Sequence, residues 1–276
     1  MTDRYAVIGH PVDHSKSPEI HAAFAAQTGE DLVYDLLPAP RDGFTETAAH
    51  FFAEGGAGLN VTVPFKAEAA RFADLLTDRA EAADAVNTLM RLPDGRREGD
   101  NTDGHGLVRD LTVNLGLALG GRRILLLGAG GAARGVLGPL LAESPSRVVV
   151  ANRTATRAVD LAHRFADRGP ATGVGFEDIN AQAPFDLLIN ATAAGLGGDV
   201  PTLPDGLFAP GGTAYDMVYG DTPTAFVRWA LDHGAASASD GLGMLVEQAA
   251  ESFRVWRGVR PDTAPVLHRL RGGANS

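Results

Sequence analysis

The most constraining feature of this 276-residue chain is a glycine-rich turn set between two apolar runs. Gly128-Ala129-Gly130-Gly131-Ala132-Ala133 follows the run Ile124–Leu127 and opens a helical pattern, Ala132–Leu141, that leads to a second run, Arg147–Ala151. The turn has the form G-x-G-x-x-A. Its first glycine permits a tight turn, its second lets backbone approach a pyrophosphate, and the small sixth residue allows close helix–strand packing. A glycine turn by itself would say little, but here strand, turn, helix and second strand arrive in order. The alternation continues through the helical patterns Thr156–Arg168 and Thr224–His233 and the runs Phe185–Asn190 and Thr213–Val218. Continuous apolar strands separated by helices indicate a parallel, doubly wound sheet covered on both faces.

The end of the second run selects among dinucleotides. An acidic residue there would bond the ribose hydroxyls of NAD. This chain instead reads Ala151-Asn152-Arg153-Thr154, with Arg157 just beyond. Guanidinium groups attract a 2′-phosphate that a carboxylate would repel, so the pattern predicts NADP(H); the alternative is two solvated surface charges.

Before this unit, Tyr5–Ile8, Leu32–Leu37, Gly58–Val63 and Val86–Leu92 read as strands, Pro18–Gln27 and Ala67–Leu76 as helices, and Pro93-Asp94-Gly95 as a hairpin turn returning through Arg97–Asn101. After it, Gly241–Leu270 reads as helix with Leu245, Ala249, Phe253 and Trp256 on one face, too short to fold alone. The expected fold is α/β with two domains. An N-terminal α/β substrate domain, 1–103, is completed by C-terminal helices, 238–276, and a Rossmann domain, 104–237, is inserted between them.

Several polar residues of the first zone sit where a core should be apolar. In Asn60-Val61-Thr62-Val63-Pro64-Phe65-Lys66, strand alternation puts Asn60, Thr62 and, past the proline, Lys66 on one side. Ala85-Val86-Asn87-Thr88 repeats the idea, and Asn101-Thr102-Asp103-Gly104 falls at the expected domain junction. Lys66 and Asp103 are the candidate catalytic pair. Reducing a ketone needs a proton at oxygen as hydride reaches carbon, and an ammonium oriented by a carboxylate supplies one. In Ser15-Lys16-Ser17-Pro18, Ser17 suits a helix N-cap with Pro18 at the next position, and two hydroxyls near helix N–H groups suit a carboxylate ligand. His10, His14 and His21 lie nearby without metal-ligand spacing, so they read as structural and no metal is expected.

The chain carries a formal net charge of −10, which argues against nucleic acid or anionic membrane as its main partner. It has no cysteine, which excludes disulfides and thiolate chemistry and fits a reducing compartment. There is no signal-peptide pattern and no apolar run near the roughly 20 residues that span a bilayer, so a cytoplasmic protein is expected.

Taken together, Ser15-Lys16-Ser17-Pro18, the Asn60–Lys66 block, Ala85-Val86-Asn87-Thr88, Asn101-Thr102-Asp103-Gly104, the Gly128 turn with Asn152-Arg153-Thr154, and Asp240-Gly241-Leu242-Gly243-Met244-Leu245 resemble the shikimate dehydrogenase family over almost the whole chain. The resemblance implies reversible reduction of 3-dehydroshikimate to shikimate with NADP(H), on the route to chorismate and aromatic amino acids, by a monomer or homodimer. It implies that Ser15 and Ser17 hold the substrate carboxylate with Tyr219 nearby, and that Asn60, Thr62, Asn87, Asp103 and Gln248 bind the hydroxyl face. Lys66 is then the general acid/base paired with Asp103. Gly128, Ala129, Gly130, Gly131, Ala132, Asn152, Arg153, Thr154, Arg157, Thr192, Met217 and Gly241 form the cofactor site. Three positions depart from the family pattern: Ala193 where serine is common, a short segment after Tyr219, and Glu247, which would add negative charge if it faced the substrate. Two alternatives stay open. One is a broader quinate/shikimate dehydrogenase, against which Ser17 and Arg153 count. The other is a non-catalytic NADP-binding sensor, against which the retained Lys66 and Asp103 count.

Overall fold

The computed structural model describes residues 2–192 and 200–272; position 193 therefore lies outside the described residues. The chain divides into two α/β units, Met1–Gly106 with Leu245–Ser276, and Leu107–Met244.

The first unit is built on a six-stranded mixed sheet in the order β2-β1-β3-β5-β6-β4, comprising β1 (Asp3–Gly9), β2 (Leu32–Pro38), β3 (Gly58–Val61), β4 (Leu75–Leu76), β5 (Thr88–Arg91) and β6 (Arg97–Asp100). β1 runs parallel to β2 and β3, whereas β5 is antiparallel to β3 and to β6. Phe44, Phe51, Phe52, Phe65 and Phe72 join Leu59 and Leu89 in its main apolar cluster. A second, aromatic cluster forms where α1 (Ser17–Thr28) and α9 (Leu242–Arg257) contribute Phe24 and Phe253, with Tyr34 and Trp256 adjoining. The helix α2 (Phe44–Ala53) has no counterpart in the sequence reading, although Phe44, Ala48, Phe51 and Phe52 recur at helical spacing and are buried.

Two expectations are corrected here. β3 stops at Val61, and Lys66 opens the helix α3 (Lys66–Phe72), so strand alternation does not carry Lys66 to its place. The Thr62 amide still bonds the Ile8 carbonyl, but the chain then turns, the Phe65 amide bonding back to Thr62. The helix α3 ends at Phe72, not Leu76, because the amides of Asp74 and Thr77 pair with Arg97 and Gly99 carbonyls, drawing Leu75–Leu76 into the sheet as β4. α4 (Asp78–Ala83) follows, capped by Thr77.

The second unit holds a six-stranded sheet, all pairs parallel, in the order β12-β11-β10-β7-β8-β9. Its strands are β7 (Arg123–Leu127), β8 (Arg147–Asn152), β9 (Ala171–Gly175), β10 (Phe185–Asn190), β11 (Phe208–Asp216) and β12 (Ser237–Ser239). α5 (Asp103–Arg109) enters this unit and passes into a π-helical turn, Asp110–Asn114. The helices α6 (Gly131–Ala142), α7 (Ala155–Arg164) and α8 (Ala225–Asp232) connect the strands, and α10 (Ala264–Leu270) lies near the end of the first unit's chain. Leu125, Leu127, Val149, Leu188 and Phe226 are fully buried, as a sheet covered on both faces requires. The edge strands β9 and β12 escape a sequence reading because Ala-Thr-Gly-Val-Gly and Ser-Ala-Ser carry little apolar signal. Because the chain moves from β7 outward to β8 and β9, then from β10 outward to β11 and β12, the sheet has its switch point between β7 and β10.

Candidate functional site

In the first unit, most of the polar residues singled out above lie in one hydrogen-bonded network. Lys66 Nζ donates to Asp103 Oδ2 at 2.5 Å, with the lysine side chain 22% exposed and the aspartate 7%. Asp103 Oδ1 accepts from Asn87 Nδ2 at 2.9 Å, and its backbone amide bonds Asn101 Oδ1. Asn87 is a hub. Its Oδ1 takes the Thr102 amide at 2.8 Å and the Thr88 hydroxyl at 2.9 Å, while its Nδ2 also reaches Thr102 Oγ1 and Gln248 Oε1. Gln248 Nε2 donates to the Leu245 carbonyl, which fixes the orientation of its amide.

Asn60 sits deeper. Its Nδ2 faces the Asn87 carbonyl, Thr88 Oγ1 and Ser252 Oγ, and its Oδ1 accepts from the Tyr34 hydroxyl at 2.7 Å. Ser17 is buried and Ser15 half-buried, their hydroxyls 3.1 Å apart. Burial pushes the Tyr34 phenol well above its usual range, and the Ser17 hydroxyl acts on it in the opposite sense as a hydrogen-bond partner. Hydrogen bonds therefore run from Tyr34 through Asn60 toward Asn87, Asp103 and Lys66, while the two serines are bonded to each other. Thr62 is half-buried, with its methyl lying where a side chain on Gly9 would be.

Three features were not anticipated in the sequence. The residue before α1 is Lys16, not Ser17, and it makes no side-chain cap; Ser15 Oγ instead accepts the Ser17 amide at 3.3 Å. Tyr34 and Ser252 bridge Asn60 to its neighbours. Ser252 lies four residues after Gln248, one turn further along α9, a spacing that marks it in retrospect. Finally, the Glu247 carboxylate is wholly buried between Arg260 Nη2 and Thr263 Oγ1, each at 2.7 Å, so its charge is compensated within the unit.

Below the network, Arg79 clamps Asp100 through Nε and Nη2 at 2.6 and 2.5 Å and reaches Glu251 at 3.1 Å. Burial raises the pKa of Asp100, but the Arg79 bonds and charge outweigh it and the net shift is downward. Asp100 Oδ1 in turn accepts the Asn101 amide at 2.7 Å and so secures the turn that leads to Asp103. His10 Nδ1 pairs with the Ala39 carbonyl, His14 is exposed and His21 is buried among rings. Among the described residues, no three His, Cys, Asp or Glu side chains cluster as metal ligands would.

In the second unit, the Gly128 turn leaves β7 with a φ of +105°, in the left-handed region that favours glycine. A Cβ there would lie 3.0 Å from the Ala191 carbonyl oxygen. Gly130 precedes the 12-residue α6 and supplies no side-chain cap to the N–H groups of its first turn. Around the glycines, Ala129 and Ala132 are partly exposed and too small to block approach. At the end of β8, Asn152 Nδ2 bonds the Thr154 carbonyl and orders the turn. Arg153 and Arg157 are exposed, and neither guanidinium has a partner among the described residues. A helix N-terminus without a capping side chain, followed by two exposed guanidinium groups, fits a phosphorylated dinucleotide.

Thr192 follows β10, its amide and hydroxyl both bonded to Asn190 Oδ1. Met217 follows β11, its amide bonded to the Asn190 carbonyl at 2.9 Å, and Gly241 packs so closely that a Cβ would fall 2.4 Å from the Met217 oxygen. Tyr219 is half-buried, and burial, aided by the charge of Asp221, raises its phenol pKa. No helix among the described residues is long and apolar enough to cross a membrane.

Comparison with known proteins adds an independent line. Residues 7–89 match the family model for the shikimate dehydrogenase substrate binding domain, residues 112–196 that for shikimate/quinate 5-dehydrogenase, and residues 241–271 that for the shikimate 5′-dehydrogenase C-terminal domain. A relative from Alkalilimnicola ehrlichii, named shikimate dehydrogenase (NADP(+)), is 62% identical over 271 residues, covering 98% of this chain and 99% of its own. Among solved structures, an Ael1 enzyme from Pseudomonas putida superposes with a TM-score of 0.89 at 45% identity, over 98% of each chain. Shikimate 5-dehydrogenase from Thermus thermophilus, solved in complex with NADP(H) and shikimate, gives 0.86 at 35% identity over 99% of this chain and all of the other.

Proposed function

The chain belongs to the shikimate dehydrogenase family, and on that premise we propose that it catalyses the reversible NADPH-dependent reduction of 3-dehydroshikimate to shikimate. The observation that carries the reading is the Lys66–Asp103 pair, at 2.5 Å, at the margin of a buried network of amides and hydroxyls. An ordinary surface lysine is not held in this way.

Bound NADPH supplies the hydride, and NADP+ accepts one in the reverse direction. The turn at Gly128–Ala132 and the start of α6 would hold its pyrophosphate, and Arg153 and Arg157, with Asn152 and Thr154 shaping the turn, its 2′-phosphate. Thr192, Met217 and Gly241 would border its other end.

Lys66 carries three N–H donors, one of which goes to Asp103. The remaining donors can meet the substrate's ketone oxygen, lend it positive charge as the carbon is reduced, and deliver the proton that completes the alcohol. Run backwards, the neutral amine takes the alcohol proton. Asp103 keeps the amine aimed, and Asn87 keeps Asp103 aimed. Ser15 and Ser17 offer hydroxyls to the substrate carboxylate, with Tyr219 as a further donor. Asn87 and Gln248 present amides to the ring hydroxyls, Asn60 backs them, and Thr62 lines the same side.

Lys66→Ala should lower turnover by roughly 10²–10⁴-fold while NADPH still binds. The direct experiment follows absorbance at the nicotinamide band for shikimate or quinate with NADP or NAD. Fastest turnover with shikimate and NADP is expected; no turnover with any pair refutes the assignment. We further place the enzyme in the cytoplasm, where a chain without cysteine loses nothing, as a monomer or homodimer.

A further inference from the structure

A buried carboxylate in the second unit has no part in the chemistry described above. Asp216, the last residue of β11, is fully buried. Its Oδ1 accepts from Asn190 Nδ2 at 3.0 Å and from the Val218 amide at 3.2 Å, and its Oδ2 accepts from the Thr224 hydroxyl at 2.6 Å. All three donors are neutral. Holding a carboxylate away from water without a cation costs more than an apolar side chain would, so its hydrogen bonds must serve something that packing alone does not.

They join the two segments that leave the sheet on one side of its switch point. The Asn190 amide donates to Asp216, while its Oδ1 fixes both the amide and the hydroxyl of Thr192. The Asn190 carbonyl accepts the Met217 amide, and Asp216 itself accepts the Val218 amide. Gly241 then closes on the Met217 carbonyl. A dinucleotide whose pyrophosphate meets the start of α6 and whose adenosine phosphate meets Arg153 occupies the half of the crevice above β7 and β8. Its other nucleoside must then extend over the carboxyl ends of β10 and β11, where these two segments lie.

We propose that Asp216 is a positioning residue for the nicotinamide half of the cofactor site, acting through Asn190 and Val218 to set the Thr192 and Met217 segments. The proposal rests on the NADP(H) reading above and deepens it. The Asp216 hydrogen bonds reach neither the pyrophosphate turn nor the arginines, although Ala191 and Thr192 pack on Gly128, so the demand on binding falls mainly on the nicotinamide half.

The test compares equilibrium binding of NADPH with that of adenosine 2′,5′-bisphosphate, which carries the adenosine phosphates and lacks nicotinamide. Asp216→Ala should weaken NADPH about tenfold, the loss expected of one or two anchoring hydrogen bonds, while the fragment stays within about twofold of wild type. Asn190→Ser, which removes both the bond to Asp216 and the anchor of Thr192, should give the same split and serves if the alanine variant does not fold. Asp216→Asn keeps an oxygen for Asn190 and Val218 and can donate to the Thr224 oxygen, so NADPH binding should remain within about twofold. Equal weakening of both ligands, no weakening of either, or an asparagine variant as poor as the alanine one would overturn the proposal. Wild-type protein that binds neither ligand would instead overturn the cofactor reading on which it rests.

Discussion

Replacing Asp103 by asparagine isolates the feature on which the proposed chemistry depends. The two carboxylate oxygens of Asp103 face two donors, Lys66 Nζ at 2.5 Å and Asn87 Nδ2 at 2.9 Å. An amide cannot satisfy both, because whichever way it is turned its NH2 points at a donor. Asn87 cannot turn to relieve the conflict, since its Oδ1 is held by the Thr102 amide and the Thr88 hydroxyl. The variant loses a charge-assisted hydrogen bond, worth about 1.5–3 kcal/mol, so if that bond holds the ammonium in the transition state kcat falls by about 10- to 150-fold.

The structure also indicates how to restore it. Adding Asn87→Asp to Asp103→Asn moves the carboxylate one partner along without changing net charge. The new acceptor at position 87 faces the amide NH2 at position 103, whose oxygen is then free for Lys66; the Thr102 amide still meets an acceptor and the Thr102 hydroxyl can turn to donate, while the Gln248 oxygen, 3.2 Å from Asn87 Nδ2 in the wild type, has to move away. The double variant should recover about tenfold of the lost kcat, about 1.4 kcal/mol relative to Asp103→Asn alone. Steady-state turnover followed at the nicotinamide band, alongside thermal unfolding, measures both effects. A folded Asp103→Asn enzyme within about threefold of wild type, or a double variant no better than the single one, would refute the reasoning.

Other perturbations reach different parts of the molecule. Arg153→Ala combined with Arg157→Ala should raise the KM for NADPH far more than that for NADH, and equal effects would remove the 2′-phosphate from their role. His21, fully buried, has its pKa lowered by burial from 6.5 to about 3, so below pH 6.5 the unfolded chain takes up a proton that the folded chain refuses. The stability tied to this group is therefore complete above pH 6.5 and declines as pH falls toward 3, by about 2 kcal/mol at pH 5. His21→Phe should flatten that slope in urea midpoints compared at pH 7 and pH 5, and an unchanged slope would contradict the assignment. Arg260→Met takes the guanidinium from the buried carboxylates of Glu247 and Glu251 and should cost about 3–5 kcal/mol, part of it recovered by adding Glu247→Leu; a double variant as unstable as the single one would show that the Glu247 charge is not the cause. Gly128→Ala places a Cβ in a left-handed turn 3.0 Å from the Ala191 oxygen and should weaken NADPH binding, with undiminished affinity counting against the turn as the pyrophosphate site.

What the sequence reveals and what it hides follow from the range of the interactions involved. The cofactor unit is readable because its information is local: a left-handed glycine, a small helix residue and two arginines lie within 30 positions and carry their meaning through backbone geometry alone. The same local logic fails one turn after β3. Alternation extended past Pro64 puts Lys66 on a strand, although the chain has already turned there and begun a helix. It fails again at the serines, where Lys16 takes the position before the helix and Ser15 accepts the Ser17 amide, because which hydroxyl reaches an amide depends on a turn that the residue types do not specify.

Long-range partners are out of its reach altogether. Glu247 reads as a charge that would disturb an anionic substrate if it faced one, and the sequence does not settle its direction because Arg260 stands 13 positions on, beyond the end of the same helix. Tyr34 reads as one more aromatic on a strand, yet its buried hydroxyl donates to Asn60. The polar residues that are legible, Asn60, Asn87 and Asp103, stand out as unsuited to a core. The residues that make their burial tolerable, Tyr34, Thr88 and Ser252, are types that any core or helix can carry. A buried polar group advertises itself in sequence, and the partners that satisfy it do not. The supporting half of a site is therefore where structure contributes most, and where substitutions distant from the reacting atoms should alter turnover.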